Sequence, residues 1–162
     1  MTKRSRVSLG VLVFLSIALV LFGVSDLTAG PGSDPASTQA LVGQSPDEVR
    51  AAEPTGFRLY DFAIRSGGLN LLFIGLLLTS ILVGPYRAGS RWAWTTMWLL
   101  PAWSLAVPAL MVGFGTAPGT TLPASAISGP IIALIAGGAL VLDRGRFGIG
   151  TARVATLGAE PA

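Results

Sequence analysis

The sequence predicts an all-α membrane protein, an antiparallel bundle of four transmembrane helices, and three observations carry that expectation. Hydrophobic residues fill 51% of the 162 positions and charged residues only 12%, about half the charged share of a soluble domain. Mean hydropathy is +0.67. Four apolar runs lie at about residues 7–25, 58–84, 92–114 and 124–142, each close to the roughly 17–25 residues a helix needs to cross a bilayer.

The first run follows a basic head with Lys3, Arg4 and Arg6. A secretory signal has a similar start, but its apolar region is shorter, about 7–15 residues. The only cleavage-like site, Leu27-Thr28-Ala29, has Leu where a small residue is wanted. The expectation is a retained first helix. Residues 26–57 then change character, being rich in Gly, Pro, Ser, Thr and acids, a composition with little apolar surface to bury. Within them, Ser45-Pro46-Asp47-Glu48 has the pattern of a capping box with Pro at the first helical position. It predicts a short surface helix over the bundle mouth, stopped by Pro54-Thr55-Gly56.

The second helix is expected from about Phe57-Arg58. Arg58, Asp61 and Arg65 fall on one face at i, i+3 and i+7, and the same face continues through Gly68, Leu72, Gly75 and Thr79. Small residues let backbones approach closely when lipid is as apolar as Leu, so this face should point into the bundle. Asn70 points the opposite way and is expected to bond another helix. Gly84-Pro85 begins a turn carrying Arg87 and Arg91. The third run starts at Trp92 and contains Pro101 and Pro108, each expected to kink it. The fourth carries Ser125, Gly129, Ala133 and Gly137 at intervals of four, a second small-residue stripe, and stops at Asp143-Arg144-Gly145-Arg146. Residues 1–146 thus form the expected transmembrane domain, and 147–162 a flexible cytoplasmic tail.

Charge and absences bound the function. A net charge of +3 and a pI near 10.2 do not imply nucleic acid, because the basic residues flank apolar runs. The sequence has no Cys and no His. That removes thiolate metal sites, iron–sulfur clusters, the usual haem ligand and the commonest general base. No cofactor, metal or catalytic residue is expected. Lys and Arg are denser beside the head, the Arg87/Arg91 turn and the last segment than beside the 26–57 loop. Both termini are therefore expected in the cytoplasm of a plasma-membrane protein, with the loop outside.

Two groups are candidate sites. Asp61 and Arg65, with Asn70, form one; an ionisable residue in a span is by default a functional hypothesis, but an i, i+4 pair is also a common structural device. Arg87, Arg91, Trp92 and Trp94 form the other, either holding an anionic lipid headgroup or anchoring topology. The first span carries no acid and no span has a mid-membrane carboxylate, which argues against a proton-coupled exporter. Between Arg65 and Pro108 the chain resembles small four-helix integral membrane proteins of actinobacteria, many of them called DoxX-like. The resemblance rests on Arg65-Ser66-Gly67-Gly68 and on Tyr86-Arg87-x-Gly89-x-Arg91-Trp92-Ala93-Trp94. It implies a four-helix fold and a possible link to quinone-coupled oxidation, with no catalytic motif carried over. The leading expectation is a non-catalytic structural or accessory protein whose partners are membrane lipids and a second copy or another membrane protein. The alternative is a lipid- or quinone-binding protein with an outward-facing Asp61/Arg65 site.

Overall fold

The computed structural model describes residues 2–148, without the side chains of Ala124 and Ser125. The expected tail falls outside the described residues except for Phe147 and Gly148. All regular structure among the described residues is helical: α1 (Lys3–Ala29), α2 (Pro35–Val42), α3 (Pro46–Ala52), α4 (Pro54–Ile81), α5 (Arg91–Met97), α6 (Leu99–Phe114) and α7 (Ala124–Asp143). Four stretches are long and apolar enough to cross a membrane, Lys3–Gly32, Pro54–Tyr86, Arg91–Phe114 and Ala126–Phe147. The expected all-α, four-span bundle is the observed one.

Several boundaries differ from the sequence reading, each for a local reason. α1 starts where the Thr2 side chain accepts from the Ser5 amide at 3.2 Å and runs on to Ala29, ending as Gly30 adopts φ 58°. Pro54 does not stop a helix but starts α4, at the one position where its missing N–H costs nothing. The region between α1 and α4 is correspondingly more ordered than a loop. α2 is capped by Asp34 and ends at left-handed Gly43. α3 has the expected capping box, with Glu48 Oε2 accepting from the Ser45 amide at 2.7 Å. That backbone bond, then the Ser45 hydroxyl, holds the Glu48 carboxyl below its ordinary pKa.

Helical structure persists through Gly84 and Pro85 as a wide π turn, Leu82–Tyr86. The Arg87 amide reaches back five residues to Leu82 at 3.2 Å, so the missing Pro85 donor is absorbed without breaking the chain's course. The third span breaks at Trp98, between α5 and α6. Pro101 has no donor for the Met97 carbonyl and its ring crowds that group, so the interruption falls three residues ahead of the proline. Pro108 sits inside α6 without ending it.

The packing order is α4–α1–α7–α6: α1 lies between α4 and α7, and α6 packs on α7. Glycines set the closest approach. A Cβ on Gly68 would lie 2.6 Å from the Leu27 amide, one on Gly75 2.9 Å from the Val20 amide, and one on Gly23 2.4 Å from the Leu72 amide. The small face of α4 therefore does point into the bundle, onto α1. On the other side, a Cβ on Gly129 would lie 2.4 Å from the Ser104 carbonyl of α6. Leu12, Leu82, Tyr86, Met97 and Leu140, all fully buried, form the centre of the core toward the Arg87 end. Buried Ser16 and Ser104 satisfy their hydroxyls on the Leu12 and Leu100 carbonyls of their own helices.

Alanine should separate the packed glycines from the open ones. Gly68→Ala and Gly75→Ala must push α1 and α4 apart and should cost about 1–3 kcal/mol. Gly138→Ala meets nothing within 4 Å and should be neutral or stabilising by up to about 1 kcal/mol. Unfolding followed by circular dichroism in detergent reads both signs.

Candidate functional site

The Asp61/Arg65 pair forms as expected, and its surroundings show what it does. Arg65 Nε donates to both Asp61 carboxylate oxygens at 3.0 Å. Its Nη1 donates to the carbonyls of Leu27 at 2.8 Å and Thr28 at 2.7 Å. Those carbonyls are among the last in α1, which have no partner within their own helix and lie at the negative end of its dipole. Arg65 is thus a cap supplied by α4 to the end of α1, and Asp61 orients it. Gly30 closes over the pair; a Cβ there would lie 2.2 Å from Asp61 Oδ1. Asn70 does not join this group and, among the described residues, bonds no other helix. Nine residues from Asp61 is two and a half turns, so when the Asp61 face packs on α1 the Asn70 side chain is exposed.

At the same end of the bundle, α2 is held down from two sides. Thr38 and Tyr60 hydroxyls share a 2.7 Å hydrogen bond. The α6–α7 loop adds bonds from the Ala117 amide and the Thr120 hydroxyl to the Ala40 carbonyl, at 2.8 and 3.0 Å. Arg50 lies over the Phe57 ring at 4.6 Å.

The Arg87/Arg91/Trp92/Trp94 group divides. Arg91 Nε donates to the Phe147 carbonyl at 2.9 Å, and Trp94 Nε1 to the Leu140 carbonyl at 3.0 Å. Trp94 therefore ties the last turn of α7, and Arg91 the short turn that follows it. Trp92 is 56% exposed, where an amphipathic ring suits the membrane interface. Arg87 is exposed and, with Arg6, lines one cleft.

The sequence reading missed the one buried acidic side chain among the described residues, a carboxyl clasp around Asp143. Asp143 is 2% exposed. It accepts from the Ser5 hydroxyl at 2.5 Å and from the Tyr86 hydroxyl at 3.0 Å, with Arg146 Nη1 at 3.8 Å. Arg146 also donates to the Arg87 carbonyl. Phe147, expected in the tail, is instead 2% exposed, with its ring 5.0 Å from Tyr86. Three helical elements distant in sequence meet at one carboxyl, whose sequence neighbours include Arg144 and Arg146. A lone acid in so basic a setting was the available signal.

These geometries define a multi-pass membrane protein of the all-α class whose intramembrane polar groups join helices to one another. The chain matches no family model, and neither curated proteins nor solved structures match it.

Arg65→Ala should lower stability by about 2–3 kcal/mol, the scale of a lost charged hydrogen bond. Tyr86→Phe should cost about 1–3 kcal/mol by leaving a buried acceptor one donor short. Chemical unfolding in mixed micelles measures both.

Proposed function

We propose that this is a non-catalytic structural or accessory protein of the plasma membrane that works as a homo-oligomer, with both ends of the described chain cytoplasmic. The observation that carries this reading is Asn70. It lies in the charge-free stretch 66–83 of its span, about one and a half turns inside Arg65 and level with the last turns of α1, where Gly68 packs against Leu27 and Leu72 against Gly23. It is exposed and has no hydrogen-bond partner among the described residues. An amide facing hydrocarbon without a partner costs several kcal/mol. A second copy relieves that cost directly, because a carboxamide both donates and accepts and can pair with itself across a two-fold axis. The same outer face presents exposed Ala63 and Gly67, with nothing within 4 Å of a Cβ on Gly67. A small-x-x-x-small pair beside a polar residue suits close helix approach.

The small residues on the inner face of α4 support association in another way. Gly68 and Gly75 are already used against α1, which leaves the Ala63/Gly67/Asn70 face for an intermolecular contact. The commitment of Asp61 and Arg65 to capping α1 favours a structural pair over a ligand site. The DoxX-like resemblance adds a four-helix setting and no reaction.

Asn70→Leu should weaken association by about 1–2 kcal/mol, a roughly five- to thirty-fold rise in the dimer dissociation constant. Native mass spectrometry from nanodiscs across lipid-to-protein ratios reads this. A wild-type protein monomeric at every ratio, or an oligomer indifferent to Asn70→Leu, would sink the proposal. Orientation is testable by maleimide labelling, since the chain has no native cysteine. Gln44→Cys should react with an impermeant reagent in intact cells, and Ala88→Cys only after permeabilisation.

A further inference from the structure

The geometry points to a binding site for one anionic phospholipid at the basic end of the bundle, in the cleft lined by Arg6, Leu9, Gly10, Val13 and Arg87. The cleft has a volume of about 690 Å³ and is open along its outer side. Its chemistry is divided along its length. Arg6 and Arg87 form a cationic lip, and neither is paired with a carboxylate or other side chain among the described residues. Leu9, Gly10 and Val13 continue from Arg6 at i+3, i+4 and i+7 and give an apolar floor. From Arg6 to Val13 the helix advances about 10 Å, so the floor descends from the headgroup level into the hydrocarbon. Nothing lies within 4 Å of a Cβ on Gly10, which leaves the middle of the floor open.

The clasp described above makes this a built site rather than two unrelated surface charges. Ser5 and Tyr86 are the residues immediately before Arg6 and Arg87, and both donate to the one Asp143 carboxyl. Arg146 adds a bond to the carbonyl of Arg87 itself. The backbones that carry the two guanidinium groups are therefore held to each other through a buried group. Guanidinium forks match a phosphate's acceptor oxygens, and the two backbones that carry them here are linked. An acyl chain lying over Leu9, Gly10 and Val13 supplies the remaining contact, and a zwitterionic headgroup does not balance the charge of the lip.

The test uses the full chain in nanodiscs of phosphatidylcholine containing a minority of phosphatidylglycerol, with bound lipid read by native mass spectrometry. Wild type should carry phosphatidylglycerol far above its share of the bilayer. Arg6→Gln and Arg87→Gln should each lower that retention about fivefold, the equivalent of about 1 kcal/mol per basic residue at a membrane surface. Arg4→Gln and Arg144→Gln, at the same end but outside the cleft, should leave it unchanged. Gly10→Trp, on an open helix surface, should block the floor and also release the lipid while circular dichroism stays that of wild type. Unchanged retention in the Arg6/Arg87 double variant overturns the site, as does equal loss on changing Arg4 or Arg144, or a protein that carries no anionic lipid at all.

Discussion

The Asp143 carboxyl is the point on which one whole end of this bundle depends. It takes a hydroxyl from the start of α1 and another from the wide turn after α4, while it ends α7. A buried carboxyl is costly unless its oxygens are satisfied, and here each oxygen has its own donor. Satisfying them fixes the relative heights of three helices that apolar packing alone would allow to slide. The aromatic layer of Tyr86, Trp94 and Phe147 and the Arg91 and Trp94 bonds to carbonyls near the end of α7 all follow from that registration.

The opposite end answers the same problem with a cation. α1 finishes against α4, and its last carbonyls accept from Arg65 rather than from water. One end of α1 is thus held through an acid on α7 and the other through an arginine on α4. Between these ties the glycines of α1 and α4 allow backbone contact, so the pair behaves as a unit in which polar groups set register and small residues set distance. In lipid this division is efficient, because apolar surface alone gives little preference for helix over hydrocarbon.

Polar residues in spans are commonly read as chemistry. Here their partners are mostly backbone carbonyls and hydroxyls of neighbouring helices, which is the pattern of a fastener. Asn70 and the Arg6 and Arg87 side chains face outward and have no side-chain partner among the described residues. Both groups remain open to what surrounds the protein, one toward the Arg65 end of the bundle and one at the Asp143 end.

The sequence by itself determined the number of spans, the inward direction of the Gly68/Gly75 face, the α3 capping box and the Asp61–Arg65 pairing. Each of these is a local property: run length, helical periodicity, or a bond within four residues. The tertiary structure alone decided that Arg65 caps α1, that Pro54 opens a helix, that Arg91 and Trp94 turn inward while Arg87 joins Arg6, and that Phe147 belongs to the core. Those facts depend on which segments meet, and residues 138 positions apart, such as Ser5 and Asp143, leave no periodic trace in a chain. Asp143 looked like the polar end of a span because its sequence neighbours are arginines; only packing shows that it faces the other way, toward two hydroxyls.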